Sequence, residues 1–127
     1  MKTFIAALII FALLFSLVLA SALYVQKEAD SLLSLARALP EDREGFESDG
    51  RTAEKALTLL RTWQESKCRF GYIMNRDITD KADEAANAIF AAAEAGSADN
   101  FLPARLRFIS LVERIALMFS LSPESIL

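Results

Sequence analysis

The stretch "VLASALYVQKEAD", residues 18–30, is where the first long apolar run of the chain meets its first cluster of charged residues. No charged residue lies between Thr3 and Val25. A helix over these residues would be about 35 Å long, which is enough to cross a hydrocarbon layer of about 30 Å. The stretch therefore predicts an N-terminal transmembrane helix that ends close to Gln26.

The sequence leaves two fates open for this helix. Residues 20–22 read "ASA", the small-residue pattern of a signal-peptide cleavage site, and Lys2 supplies a short positive region before the apolar run. Against cleavage, the apolar run is longer than a typical signal core, and no glycine or proline breaks the helix before the site. We predict an uncut anchor over residues 1–26, with cleavage between Ala22 and Leu23 as the alternative.

The position of the apolar run also predicts its orientation. Only two residues precede it, so residues 27–127 are expected on the outer side of the membrane. Tyr24, with the nearby Lys27 and Glu28, predicts a collar at the lipid–water interface. The predicted protein is single-pass, with its N-terminus in the cytoplasm.

A stripe of small residues follows one face of the predicted anchor at four-residue spacing, formed by Ala12, Ser16 and Ala20. Such a stripe allows a second transmembrane helix to approach closely. Alanine and serine are also common in membrane helices that have no helical partner. The predicted partners are the lipid bilayer and either another membrane protein or a second copy of this chain.

Composition excludes several classes of function. The 127 residues include 14 Lys and Arg against 17 Asp and Glu, a mildly acidic balance that argues against nucleic-acid binding. Histidine is absent, which removes the commonest general base and the commonest zinc ligand. The single cysteine, Cys68, cannot form an intramolecular disulfide. We therefore expect no catalysis, no cofactor and no metal.

Helical periodicity continues beyond the anchor. The first segment extends the anchor and ends before Pro40, because a residue that precedes proline is pushed out of helical geometry. Residues 40–50, "PEDREGFESDG", predict a turn or loop, from which Phe46 folds back onto the bundle. A second helix is predicted from about Arg51 to Met74.

Two further helices complete the pattern. Asn75 is predicted to end the second helix and Asp77 to cap the third, which stops at Gly96. Asp99 or Asn100 opens the last helix, with Pro103 in or near its first turn. The predicted core side chains are Leu60, Trp63, Phe70, Ile78, Ile89, Phe108 and Ile115. The predicted fold is all-α, a transmembrane helix that continues into an antiparallel three- to four-helix bundle.

Several of these features together resemble a known family. They are the anchor, residues 53–70 ("AEKALTLLRTWQESKCRF"), the junction "N-x-x-I" from Asn75 to Ile78, the alanine-rich third helix and the final "SIL". The resemblance is to an uncharacterised bacterial family of small membrane-anchored helical proteins, domain of unknown function 4363. Its pattern "A…L…L…W" corresponds here to Ala56, Leu57, Leu60 and Trp63.

The resemblance implies an anchored helical bundle of the bacterial cytoplasmic membrane and no established activity. Members often carry a histidine at the junction where this chain has Asn75, so no role of that histidine transfers.

Acidic residues at the start of the third helix are the first candidate site. Asp77, Asp80, Asp83 and Glu84 have three- and four-residue spacings that would suit a weak Ca²⁺ or Mg²⁺ site. The competing interpretation, which we favour, is that acids at a helix N-terminus complement the helix dipole and cap its free N–H groups.

The second helix supplies the other candidates. Trp63 is predicted to be a core side chain rather than a ligand platform. Cys68 is predicted to be buried or half-buried, with an intermolecular disulfide as a less ordinary role. Basic residues on this helix would contact anionic lipid or an acidic partner or, as we predict, pair with acids of the third helix; they are Arg51, Lys55, Arg61, Lys67 and Arg69.

The resulting prediction is a membrane-tethered, non-catalytic interaction or accessory module on the outer side of the bacterial cytoplasmic membrane. The alternative is a secreted or tethered binder of a small molecule or a cell-envelope component, held in a pocket between the helices.

Overall fold

The computed structural model describes residues 1–70, without the side chain of Phe70, and residues 76–118. Met74 and Asn75, at the predicted end of the second helix, lie outside the described residues, as does the core side chain predicted at Phe70. The described part is 90% helical and contains no strand, so the all-α prediction is confirmed. Its five helices are α1 (Lys2–Arg37), α2 (Arg43–Ser48), α3 (Thr52–Phe70), α4 (Arg76–Ala95) and α5 (Ala98–Met118).

Helix α1 has two halves with different surroundings. It is 36 residues long, about 54 Å, and no glycine or proline interrupts it. The large side chains from Phe4 to Val18 are all more than half exposed. Its buried residues all lie in the second half, at the three- and four-residue spacing of a packed helix face; they are Ala22, Val25, Ala29, Leu32, Leu33 and Ala36. The second half of α1 is thus the spine of the bundle.

The α1 C-terminus is fixed by a buried cation. The helix ends at Arg37, three residues before Pro40, and Leu39 turns inward to become buried. Nε of Arg105, on α5, donates a hydrogen bond to the carbonyl of Ala36 over 3.2 Å. Because the last carbonyls of a helix lack their usual partners within the helix, the Ala36 carbonyl accepts from two donors here, the Arg105 side chain and the backbone N–H of Leu39 at 3.2 Å.

The prediction of a turn or loop over residues 40–50 is wrong, because a short helix, α2, forms within it. Asp42 caps this helix by accepting a hydrogen bond from the backbone N–H of Gly45 over 2.6 Å. The prediction that Phe46 folds back is confirmed: it is buried, and its ring centroid lies 4.8 Å from that of Phe101.

Helix α4 packs between α3 and α5, and α3 and α5 each pack against α1. The α4–α5 contact is the most extensive, and α4 contributes small buried residues that let the helices approach closely. Gly96 ends α4 as predicted, with φ of +69°, and its N–H donates to the Ala93 carbonyl while Ser97 N–H donates to Ala92. This is the left-handed C-terminal turn that glycine adopts without steric cost.

Two predicted helix starts differ from the structure. Helix α4 begins at Arg76, so Asp77 lies in its first turn and is not the N-cap. Helix α5 begins at Ala98, before the predicted Asp99 or Asn100. Pro103 is consequently the sixth residue of α5, in the second turn, where it has no N–H to donate to the Asp99 carbonyl.

The core lies between α1 and the three long helices. Trp63 packs edge-on against Phe108, with ring centroids 5.8 Å apart and an interplanar angle of 89°, a favourable aromatic geometry. Ile78, Ile89 and Ile115 are also buried. On α3 the structure differs from the predicted set, because Leu59 is fully buried whereas Leu60 is only half-buried and packs against the core from its edge.

Candidate functional site

The junction between the exposed half and the packed half of α1 is one candidate functional site. Among the described residues, α1 is the one helix that is long and apolar enough to cross a membrane, judged by length and composition, and its most apolar window has no buried residue. Bundle packing begins at Ala22, which is 5% exposed, and continues at Val25, which is fully buried. The exposed half and the packed half are therefore joined without a linker.

The possible cleavage site lies inside this continuous helix. Residues 20–22 belong to α1, and the first residue of the packed face is Ala22 itself. A cut between Ala22 and Leu23 would separate a residue of the packed face from the rest of that face. Signal peptidase needs an extended segment, so the helix would have to unwind there before cleavage.

A polar cluster fastens α1 to α3 just beyond the junction. Glu28 accepts hydrogen bonds from Ser66 Oγ at 2.7 Å and from Nη1 of Arg69 at 2.8 Å. The Tyr24 hydroxyl also interacts with Glu28 and with Arg69. The Ser66 hydrogen bond and the charge of Arg69 lower the pKa of Glu28 below its ordinary value. Glu28 therefore turns toward the bundle and Arg69, away from the collar predicted with Lys27.

The α3–α4 interface carries a second polar group. Nε1 of Trp63 donates to Oδ1 of Asp83 over 3.2 Å, and Nζ of Lys67 lies 3.5 Å from the same oxygen. Beside them is an open groove of about 840 Å³ whose lining includes Cys68 and Asp80. The groove contains both signs of charge, so it has no marked preference for an anion or a cation.

Three of the four acidic residues predicted as a possible metal site contact different partners. Asp77 pairs with Lys81 at 3.2 Å, and Glu84 pairs with Arg107 at 3.6 Å. Asp83 instead faces α3, as described above. Across residues 1–70 and 76–118, no group of three or more acidic or cysteine side chains is arranged to hold a metal ion. Asp77 and Lys81 form an ordinary pair four residues apart on one helix, whereas Glu84 and Arg107 join α4 to α5.

The basic residues of α3 also pair with acids on different elements. Lys67 pairs with an acid of α4, as predicted for this set, but Arg69 pairs with Glu28 of α1. Lys55 pairs with Asp49 at 2.8 Å, in the connection before α3. The prediction of a buried or half-buried Cys68 is wrong, because this free thiol is exposed.

The outer surface of α4 and α5 forms another open groove, of about 560 Å³. Its floor consists of small side chains, among them Ala88, Ala91 and Ala95, and Pro103 lies on its α5 side. It is open to solvent, whereas a small-molecule site usually surrounds most of its ligand.

The small-residue stripe of α1 is exposed and faces away from the bundle. At 100° per residue, Ala12, Ser16 and Ala20 centre about 150° around the helix from the packed face that contains Val25 and Ala29. A second helix would therefore reach the stripe without displacing the bundle.

Sequence reasoning missed the Glu28 cluster, although one signal was present. Ser66 continues the spacing of the buried α3 residues Ala56, Leu59 and Trp63, so it is a polar residue in a buried register. Such a residue needs a hydrogen-bond partner from another helix. The sequence alone does not say that this partner is Glu28, which lies 38 positions away.

No family model, curated protein or solved structure matches the chain. The resemblance to domain of unknown function 4363 therefore stays a prediction.

Proposed function

We propose that this chain is a membrane-tethered, non-catalytic helical interaction module. In this proposal the first half of α1 crosses the bacterial cytoplasmic membrane with its N-terminus inside, and the bundle stands on the outer side. The observation that carries the proposal is the continuity of α1, whose exposed apolar half leads directly into the spine of the bundle.

The continuity of α1 also suggests what kind of module it is. A bundle on a flexible linker can search a wide volume for its partner, whereas a bundle on a rigid helix stays close to one distance from the membrane. Such an arrangement suits contact with a neighbour in the same membrane. The bilayer itself and either another membrane protein or a second copy of the chain are the proposed partners.

The stripe of Ala12, Ser16 and Ala20 supports the membrane part of this contact. Its side chains are exposed and lie on the face of α1 opposite the bundle. A partner helix packed there gains close backbone contact, which is the main source of helix association in lipid.

Cys68 gives a direct test of the orientation, because it is the single cysteine and is exposed. In spheroplasts, a membrane-impermeant maleimide is expected to label the wild-type chain without lysis. The matched control is Lys2→Cys in a Cys68→Ser background, which is expected to react only after lysis. Labelling of both variants only after lysis would contradict the outward orientation.

The mass of the mature chain tests the tether separately. We expect intact α1 and sedimentation with membranes. A soluble product that begins at Leu23 would contradict the tether and would favour the secreted binder.

Disulfide cross-linking tests the helix contact in the Cys68→Ser background. Between two copies of the chain, Ser16→Cys is expected to form a disulfide with the same residue of the second copy under mild oxidation, whereas Leu14→Cys, on another face of α1, is not. A partner protein without a cysteine at this depth is tested with a photo-activated cross-linker at the same two positions. Equal cross-linking of the two variants would rule out a defined interface at the stripe.

A further inference from the structure

The end of the bundle next to the exposed half of α1 carries exposed apolar side chains on two helices. At the end of α5, Leu117 is 73% exposed and Met118 is 52% exposed. On α1, Leu23 is 54% exposed and Tyr24 is 42% exposed. We call these four residues the proximal apolar edge.

The packing of α5 against α1 places these four residues at a similar position along the α1 helix axis. Helix α5 runs antiparallel to α1, and Leu117 lines a shallow groove whose α1 side extends from Gln26 to Arg37. Because Arg105 contacts Ala36 near the far end of α1, Leu117, twelve residues further along α5, lies at the Gln26 end of that groove. Gln26 lies four residues beyond Ala22, about 6 Å along the helix axis. Both helices also change from charged to apolar at this height. Lys27 is the first charged residue of α1 after the apolar run, and Arg114 is the last charged residue of α5.

We propose that the proximal apolar edge lies in the interfacial layer of the bilayer that α1 crosses, so that the bundle contacts the membrane at a second place. This inference rests on the proposed membrane tether. A hydrocarbon layer of about 30 Å takes up about 20 helical residues, so a span that begins at Thr3 reaches its outer boundary near Ala22. The interfacial layer beyond it is about 5–7 Å deep, which matches the height of Leu117.

The side chains at this height suit such a layer. Tyr24 presents an apolar ring and a polar tip, the combination that is enriched at lipid–water interfaces. Lys27 and Arg114 lie one turn further from the hydrocarbon, where they are within reach of lipid phosphates. A single helix leaves the bundle free to tilt about its anchor, whereas contact through both α1 and α5 fixes its tilt and its rotation.

The test uses the full chain in vesicles of phosphatidylcholine with a minority of phosphatidylglycerol. In a Cys68→Ser background, an environment-sensitive fluorophore is attached at Leu117→Cys or at Leu106→Cys, and a fraction of the lipid carries a nitroxide on its headgroup. Leu106 is the matched control, because it is 62% exposed on the same helix and lies about 16 Å further from the membrane. We expect several-fold stronger quenching at position 117.

Equal quenching at positions 117 and 106 would overturn the inference. So would a label at position 117 that is shielded from solvent but not quenched by the nitroxide lipid, because a protein would then cover the edge. A third label, at Leu14→Cys with the nitroxide on the acyl chain, tests the tether independently, and loss of its quenching would contradict the proposed function itself. An unchanged emission maximum of Trp63 in each variant shows that the bundle is folded.

Discussion

Asp83 on α4 accepts a hydrogen bond from the indole Nε1 of Trp63 on α3, over 3.2 Å. The indole is fully buried, while Asp83 reaches the surface, where Lys67 lies 3.5 Å from the same carboxylate oxygen. A large core side chain and a surface ion pair therefore share one acceptor. Because Trp63 also packs against Phe108 of α5, the Asp83 carboxylate helps to set how three helices meet.

Asp83→Ala removes that acceptor and should lower the free energy of unfolding by about 1–2 kcal/mol. Asp83→Asn keeps an oxygen acceptor and should cost less. Trp63 is the single tryptophan, so its fluorescence during urea unfolding of the detergent-solubilised chain measures the effect directly. Asp80→Ala, at an exposed position on the same helix, is the control. A cost for Asp80→Ala as large as that for Asp83→Ala would contradict the assigned role.

The Glu28 cluster predicts an acid-sensitive contribution to stability. The folded-state pKa of Glu28 lies below its ordinary value of 4.5, so the unfolded chain binds a proton at a higher pH than the folded chain. The contribution of the Glu28 carboxylate to stability is therefore fully present above its ordinary pKa of 4.5. It is lost as the pH falls through the lower folded-state pKa. The Glu28 side chain is only 16% exposed, so its contacts with Ser66 and Arg69 are incompletely screened by water.

Glu28→Gln should be less stable than the wild type by about 1–2 kcal/mol near neutral pH, because it loses a charge-assisted hydrogen bond. The difference should shrink as the pH falls from above about 5 through the folded-state pKa, where the wild-type carboxylate takes up its proton. Unfolding curves across this range, read from Trp63 emission, give the comparison. Glu47→Gln, exposed on α2, should show neither effect. A difference for Glu28→Gln that is independent of pH would show that the charge is irrelevant.

The helical fold could be predicted because its causes are local. No glycine or proline interrupts α1 between Lys2 and Arg37, and apolar residues recur at helical spacing in every long helix. Gly96 is likewise a local signal, since the left-handed turn after α4 favours glycine. Patterns of this kind act within a few residues, so they are visible in the sequence.

The errors arose where contacts between distant residues decide the outcome. Leu59 and Leu60 both lie near the apolar stripe of α3, and only the position of the neighbouring helices determines which becomes fully buried. Helix α2 is the exception, because its Asp42 cap is local but lies in a stretch whose charges and glycines otherwise indicate a loop. Glu28 finds its partners on α3, far along the chain, so its inward orientation had no local signal.

Gly96 provides a test of backbone conformation with little interference from packing. A Cβ added at this position meets no atom within 4 Å, so the cost of Gly96→Ala is the left-handed conformation alone, about 1–2 kcal/mol. Gly50→Ala is the matched control, because that site is equally open and has no positive φ. It should change the unfolding midpoint in urea little or not at all. Equal effects of the two substitutions would show that the turn after α4 is not under this constraint.

Arg105 on α5 should contribute more to stability than its neighbour Arg107, although both carry the same charge. Arg105 is 5% exposed and donates to the Ala36 carbonyl at the end of α1, whereas Arg107 makes a surface pair with Glu84. Arg105→Met keeps most of the side-chain volume but removes the donor, which should cost about 1–3 kcal/mol. Arg107→Met should cost about 0.5 kcal/mol or less, because exposed ion pairs contribute little.

Hydrogen exchange adds a local readout, since the amides in the last turn of α1 should lose protection in Arg105→Met and keep it in Arg107→Met. Equal protection in the two variants would show that Arg105 does not hold the end of α1.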